Sequence, residues 1–285
     1  MMIVLCVKDK LIYLRKLYYG YMLFVFIVEG SCGSMIHDLQ QPVLINPGTD
    51  NFYWMLHLLN IPQAIVAHRG ITLLFETTLL ATALSCFISR GSSILAVTFT
   101  MFYSVYVVTK SSFVAHHEHG LVLPLLMSVI FWPSSDERKI RLLEAFRYYV
   151  LFAFVSAALW KLVRGSAFAP GQFAEILKMQ HLRLLATEPE NVYALVISWL
   201  ISHQTVSDVL LGLAVILQHT FVVGFFTYRA DRLLLIFFFL FFIGDFMLMN
   251  LTFYQWYIAA VVFLPYWYPA AEQELQDIRT NQVPV

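Results

Sequence analysis

Long apolar runs separated by short polar interruptions dominate the chain, and their lengths predict helices that cross a membrane. A spanning helix needs about 20 mostly apolar residues. The fourth and the eighth run are shorter than the others. The fold class that follows is all-α, a polytopic transmembrane helical bundle of about 7–8 spans. The pattern predicts these spans at 17–35, 64–88, 94–113, 121–132, 148–163, 206–226, 233–251 and 253–267.

The polar stretches around these runs define the domain organisation. Residues 1–16 form a predicted cytoplasmic N-terminal segment, 17–268 a transmembrane helical domain, and 269–285 a polar C-terminal tail. The stretch 43–62 contains Pro, Gly and Asp among three aromatic residues. This composition is too broken for a span and favours an interfacial or re-entrant loop with an aromatic belt.

Three further polar stretches predict connections between spans. Residues 133–147 predict a charged loop, and 164–191 predict a long polar segment followed by a short apolar piece. Residues 228–232 predict a tight charged turn. We find no internal repeat, and nothing in the sequence marks a second domain.

The distribution of Lys and Arg predicts which ends of the spans are cytoplasmic, because these residues are enriched in cytoplasmic loops. Lys8, Lys10, Arg15 and Lys16 precede the first span, whereas 17–68 contains no Lys or Arg. The loop 133–147 again carries four basic residues. A cytoplasmic N-terminus follows, and it places the segment 113–120 and the end of the fifth span on the outer side.

Composition supports the membrane assignment and excludes other classes. Of 285 residues, 60% are hydrophobic and 13% are charged, and the mean hydropathy is +0.72; a soluble domain carries about 25% charged residues. Lys and Arg together number 18, and Asp and Glu together also number 18. No net positive charge therefore favours nucleic acid as a partner. The three cysteines are widely spaced, which is neither a disulfide framework nor a metal-site pattern.

A polar cluster, Phe113-Val-Ala-His-His-Glu-His-Gly120, lies where one apolar run gives way to the next. Ionisable residues at membrane depth are costly and are functional candidates. His116 and His119 share a helix face. We predict no metal, because the Glu-x-x-His pairs that a metal site would need from other helices are missing. Polar capping of a helix junction, and acid–base catalysis or substrate binding by His116, His117, Glu118 and His119, both stay open.

Lys161 lies near the end of the fifth run, in Ala157-Ala-Leu-Trp-Lys161-Leu. Its ammonium group could reach the outer interface, as lysines at helix ends often do. Alternatively, Lys161 faces the bundle, where burial disfavours the charged form and a neutral amine could act as a base. Asp245 and Asn250 fall on the same predicted side. Glu29, Glu76 and His219 are also at membrane depth, where such residues usually face the bundle and pair.

These two motifs resemble the membrane portion of vitamin K-dependent gamma-carboxylase and, more broadly, the HTTM (horizontally transferred transmembrane) family. The resemblance covers roughly 15–268. It matches the base lysine of the family, in an Ala-Gly-x-Lys-Lys-Leu context, to Lys161, and the family histidine to His117. His116 stands where the family has Asn, Trp160 stands where it has the first Lys, and Gly244-Asp245 stands where the carboxylase has a late His.

The resemblance implies an enzyme with an outward-facing pocket, open to the lipid, in the bacterial inner or plasma membrane. Lys161 would be the base and His117 its acid or hydrogen-bond partner, with His119, Glu118 and Asp245 supporting. A reduced quinone, similar to vitamin K hydroquinone, would be the cofactor, and His116, Trp160 and Asn250 are its candidate ligands. A peptide or small molecule would be the substrate. The carboxylase's large lumenal domain has no counterpart here, so carboxylation of a docked protein is not expected.

A different class remains open from the residues alone. The chain could be a non-catalytic membrane subunit that scaffolds a membrane-protein partner, with its polar residues forming interhelical hydrogen bonds. A transporter is disfavoured because we find no repeat and no paired broken helices.

Overall fold

The chain is all-helical in the part that the computed structural model describes, which is 7–39, 51–112, 119–165, 169–251 and 253–264. For 7, 51–53 and 119–121 it describes the backbone alone. Within these ranges there is no strand, as expected. The helices are α1 (Val7–Ser31), α2 (Asn51–Leu58), α3 (Ile61–Ala67), α4 (Arg69–Ile88), α5 (Ser93–Ser111), α6 (His119–Ser128), α7 (Asp136–Val163), α8 (Gln172–Gln180), α9 (Leu182–Thr187), α10 (Val192–Ser202), α11 (Gln204–His219) and α12 (Asp231–Met249), with 3₁₀ helices at Ile36–Asp38, Val129–Phe131, Thr220–Phe225 and Tyr254–Phe263.

Six helical segments among the described residues are long and apolar enough to cross a membrane, which makes this a multi-pass membrane protein by length and composition. The fourth and eighth predicted spans correspond to shorter helices, Val122–Phe131 and Tyr254–Phe263. The count of about 7–8 spans and the cytoplasmic N-terminus therefore stay predictions. The six segments are Lys8–Asp38, Arg69–Ile88, Ser93–Ser111, Asp136–Val163, Gln204–Phe225 and Asp231–Met249.

The predicted charged loop at 133–147 is wrong, because α7 already begins at Asp136. Two ion pairs explain the helix: Lys139 Nζ lies 2.8 Å from Asp136 Oδ1 at i, i+3, and Arg141 pairs with Glu137 at i, i+4. Acidic residues in the first turn also complement the helix dipole. In a hydropathy pattern these charges indicate a loop, but in the structure they stabilise the first turns of a helix.

Two other predicted connections are helical as well. The polar segment 164–191 contains α8 and α9, and α8 buries Phe173, Ala174 and Leu177 on one face, which is amphipathic spacing. The predicted second span is divided at His68, whose extended backbone (φ −135°) separates α3 from α4. Of the predicted re-entrant loop, 51–58 is helix α2, and 43–50 lies outside the described residues.

The chain divides into two compact units. The described part of unit 1 comprises 7–39, 51–112, 119–146 and 254–259. Its described core packs α1 against α4 and α5 around a cluster of buried rings. Tyr18 and Tyr19 lie edge to face at 4.8 Å, and both lie 5.6 Å from the ring of Phe131. Tyr18 also donates a 2.7 Å hydrogen bond to the carbonyl oxygen of Pro124, so α1 is fixed to α6.

The described part of unit 2 comprises 147–165, 169–251, 253 and 260–264, and side-chain contacts join α7 to α12 within it. Arg147 pairs with Asp231, and seven residues further along each helix the ring of Phe154 lies 5.6 Å from that of Phe238. A seven-residue repeat brings the same helix face round every two turns. The constant offset between the two helices therefore means that they run in the same direction and in fixed register.

Gly224 is the tightest point in the packing of unit 2. A Cβ added there would lie 2.5 Å from Leu151 Cδ2 and 2.8 Å from Leu234 Cδ1, and both leucines are buried. We expect Gly224→Ala to lower the free energy of unfolding by about 1–3 kcal/mol through overpacking. Gly212→Ala is the matched control, because nothing lies within 4 Å of its Cβ position. Thermal unfolding of both variants in detergent measures the difference, and equal midpoints would contradict this packing.

Candidate functional site

A cavity of about 350 Å³ lies within unit 2, and Lys161 forms part of its wall. Most of the lining is apolar, so the amine is placed among hydrocarbon groups. Residues on α7, α8, α11 and α12 line it: Lys161, Phe173, Ile176, Leu210, Leu211, Leu213, Ala214, Leu217, Leu240, Phe241, Gly244, Asp245, Leu248 and Met249. Two of the residues predicted from the sequence, Lys161 and Asp245, therefore meet at one cavity.

The polar groups of the cavity gather around the amine of Lys161. Its Nζ donates a 2.7 Å hydrogen bond to Gln218 Oε1, and the side chain also interacts electrostatically with Asp245. Gln218 is only 4% exposed. The amine is thus held by an amide oxygen from α11, and a carboxylate from α12 lies in the lining of the same cavity. This arrangement places an amine, which can carry a proton, and a carboxylate, which can accept one, at the edge of an apolar space.

The register between α7 and α12 explains why Lys161 and Asp245 meet. They are the third pair of the seven-residue series, after Arg147 with Asp231 and Phe154 with Phe238. In both helices the first and third members are 14 residues apart, about 21 Å along an α-helix. Helix α7 carries the two cations and α12 the two carboxylates. The buried Arg147–Asp231 ion pair therefore lies in the same register between α7 and α12 as Lys161 and Asp245.

Helix α8 forms the remaining wall, and two hydrogen-bonded contacts hold it in place. The backbone N–H of Gly171 donates to both carboxylate oxygens of Asp208 on α11, at 3.1 and 2.9 Å. At the other end, His181 Nε2 lies 2.8 Å from the carbonyl oxygen of Leu248 on α12. The buried residues Phe173 and Leu177 pack with Leu211 in the same core. The segment predicted to be a polar connection thus builds part of the cavity.

Other residues predicted for the site do not line this cavity. Trp160 is 57% exposed, with the guanidinium of Arg164 4.3 Å from its ring centroid. Asn250 is exposed and ends α12 in the left-handed conformation, with φ 50°. His219 was predicted away from the site and facing the bundle, and this prediction of its facing is wrong because its side chain is exposed. Trp160 and Asn250, expected to hold a cofactor, therefore do not line the cavity that contains the amine.

His116, His117 and Glu118 lie outside the described residues. His119 begins α6, of which only the backbone is described at that position, and it belongs to unit 1. The predicted meeting of Lys161 with His117 stays a prediction.

Gln218 and Lys110 were not among the residues predicted from the sequence. A neutral amide at the end of an apolar run carries no charge signal, although its position directly after that run could have indicated an interhelical hydrogen bond. In unit 1, Lys110 Nζ lies 2.6 Å from Glu29 Oε1, and Tyr106 donates a hydrogen bond to the same carboxylate. The expectation that Glu29 faces the bundle and pairs is met by this contact.

Glu76 also has a partner that the sequence did not identify. Its Oε2 lies 2.5 Å from His37 Nδ1, and its Oε1 accepts a 3.2 Å hydrogen bond from the backbone N–H of His37. Glu76 is 3% exposed. The pair joins α4 to the 3₁₀ helix Ile36–Asp38.

No group of three or more His, Cys, Asp or Glu side chains in the described ranges is arranged to hold a metal ion. Comparison with protein-family models, with curated proteins and with solved structures finds no match to this chain. The function is therefore inferred from the geometry of the cavity and from the residues of the two motifs.

Proposed function

We propose that this integral membrane protein binds a small lipid-soluble molecule in the Lys161 cavity and uses the amine for proton transfer. The single observation that carries the proposal is that Lys161 and Asp245 lie together in the lining of an otherwise apolar cavity, with Gln218 accepting a hydrogen bond from the amine. Ligand pockets usually combine an apolar lining with a few convergent polar groups of this kind.

The size and chemistry of the cavity fit the ring of a reduced quinone. Its volume of about 350 Å³ lies at the lower end of the roughly 300–1,000 Å³ range of ligand pockets. Leu217, Leu240 and Phe241 would contact the apolar faces of such a ring. Lys161 and Asp245 would hold its oxygen substituents by charge-assisted hydrogen bonds. When bound, a reduced quinone supplies acidic hydroxyl groups and two reducing electrons.

The chain's own residues divide the proton chemistry between them. Lys161, when neutral, accepts a proton at Nζ and becomes an ammonium. Asp245 and the amide oxygen of Gln218 then stabilise that ammonium in surroundings of low polarity, where charges interact strongly. The apolar walls from α8 and α11 lower the polarity of the surroundings of the amine. These roles make Lys161 the general base.

The resemblance to gamma-carboxylase-like HTTM proteins extends this proposal to an enzyme. In that extension His117 hydrogen-bonds the cofactor or substrate, and a peptide or small molecule is modified at the outer side of a bacterial inner or plasma membrane. The basic residues at 138–141 and 147 favour a cytoplasmic start of α7. Lys161, near the other end of α7, would then lie toward the outer side. The matched Lys161 and the apolar cavity beside it support this extension.

A second candidate function has its own supporting observation. Lys161 donates a hydrogen bond to Gln218 on a neighbouring helix, which is how polar residues join helices in a structural subunit. In that case the chain scaffolds a membrane-protein partner without catalysis, and the cavity holds lipid tails.

Ligand binding by Lys161→Met distinguishes these functions. Using menadiol, a short reduced naphthoquinone, as the probe, we expect calorimetry on the full chain in detergent to show at least about tenfold weaker binding. A hydrogen bond from a charged group contributes about 1.5–3 kcal/mol, which is a factor of ten or more.

Lys178→Met is the matched control. Lys178 is exposed on α8 and does not line the cavity, so this variant should bind menadiol as the unaltered protein does. Equal affinity of all three proteins, or no binding to any, would favour the scaffold.

A further inference from the structure

A second cavity, of about 420 Å³, lies within unit 1 and is formed by α1, the 3₁₀ helix Ile36–Asp38 and α4. Most of its lining is apolar, and the pair of Glu76 with His37 supplies the ionisable groups. The lining residues are Phe26, Ile27, Gly30, Ser31, Met35, His37, Leu73, Glu76, Thr77 and Leu80.

From its charge and shape we propose that this cavity binds an amphipathic primary amine, with the ammonium group against Glu76 and the apolar body against Phe26, Leu73 and Leu80. The inference does not rest on the function proposed for Lys161, since the two cavities share no residue.

The charges around Glu76 favour a cation. His37 Nε2 lies 3.3 Å from Asp38 Oδ1, and His37 Nδ1 faces Glu76 Oε2. With both carboxylates ionised, this trio is negative whether the imidazole is neutral or protonated. The described lining contains no Lys or Arg, and Lys110 is engaged by Glu29. The carboxylates would therefore repel an anionic ligand, whereas the buried carboxylate of Glu76 would attract an ammonium group.

The geometry of Glu76 leaves it able to accept a ligand. Each carboxylate oxygen has two lone pairs, and the contacts with His37 use one on each oxygen. The carboxylate is held in position by the backbone N–H of His37, so a cation would meet an oriented acceptor. The ring of Phe26 forms part of the wall, and a ring face attracts a cation as well as an apolar body.

A primary ammonium on an apolar body could come from a free amine or from the headgroup of an aminophospholipid. We favour the free amine, because the headgroup also carries a phosphate two carbons from the ammonium. The lining offers no Lys or Arg to balance that phosphate.

The test is calorimetry of 3-phenylpropylamine binding to the full chain in detergent, beside the neutral 3-phenylpropanol and the anionic 3-phenylpropanoate. The proposal expects the amine to bind at least tenfold more tightly than the alcohol, and the carboxylate not to bind. Glu76→Gln should remove the preference for the amine while leaving alcohol binding unchanged, which also shows that the cavity is intact. Glu137→Gln, at an exposed ion pair in unit 1, is the matched control and should bind like the unaltered protein.

A second variant keeps the proposal testable if Glu76→Gln fails to fold. Leu73 is 44% exposed and lines the cavity, so Leu73→Trp should narrow the cavity and weaken amine binding at least tenfold without disturbing a buried group. Equal amine binding by Glu76→Gln or by Leu73→Trp would overturn the proposal, as would preference for the carboxylate. Displacement of the amine in nanodiscs when phosphatidylethanolamine is added to phosphatidylcholine would overturn the choice of a free amine.

Discussion

Replacing Arg147 by Met should destabilise the protein strongly, by about 3–5 kcal/mol, because it leaves Asp231 as a buried, uncompensated charge. Arg147 is fully buried, and its Nε and Nη2 donate to the two oxygens of Asp231 at 3.1 and 2.5 Å. The expected fall in the midpoint of thermal unfolding is on the order of 10 °C, measured by circular dichroism in detergent.

Two further variants isolate the cause. Arg141→Met makes the same substitution in the same helix at an exposed ion pair, where the expected cost is at most about 1 kcal/mol. Arg147→Met combined with Asp231→Leu removes both charges, and should recover at least half of the loss, because an apolar pair can replace a buried ion pair. If the double variant is no more stable than Arg147→Met alone, this ion pair does not hold the seam between α7 and α12.

Filling the Lys161 cavity should abolish ligand binding without changing any charge. Gly244 lines the cavity, and no atom lies within 4 Å of the position of an added Cβ. Gly244→Phe therefore places an aromatic ring where the ligand would lie, and menadiol binding should weaken by roughly 100-fold or more. Replacing Gly in a helix interior should not itself reduce stability.

Gly212→Phe is the control for this change. Gly212 also lies in a helix with open space at its Cβ position, and it does not line the cavity. This variant should keep the affinity of the unaltered protein. Unchanged menadiol binding in Gly244→Phe would place the ligand elsewhere.

Much of the fold could be predicted because membrane helices carry a strong signal. Apolar runs near 206–226 and 233–251 correspond to Gln204–Phe225 and Asp231–Met249. The charged start of α7 was not predicted, because a hydropathy pattern does not register the i, i+3 and i, i+4 pairs of Asp136, Glu137, Lys139 and Arg141. The amphipathic α8 was missed for a similar reason: only three of its nine residues are buried, and its mean hydropathy resembles that of a loop.

The candidate site could be predicted in part. Lys161 and Asp245 stood out because ionisable side chains within apolar runs are rare, and both line the cavity. Gln218 gives no comparable signal in the sequence. Trp160 and Asn250 are candidate cofactor ligands only by the resemblance and the predicted sidedness. The register that joins α7 to α12 is visible only when the two helices are aligned with each other, since each carries its seven-residue series separately.

Photolabelling tests the central claim, that a quinone-like molecule binds beside Lys161, most directly. The full chain in nanodiscs is irradiated with an azido-naphthoquinone, and labelled peptides are mapped by mass spectrometry with and without excess menadiol. Binding in the cavity predicts label in Leu210–Leu217 and Leu240–Met249, where α11 and α12 line it, and loss of that label when menadiol is present. Label spread over exposed apolar residues such as Phe152 and Ile236, unaffected by menadiol, would contradict it.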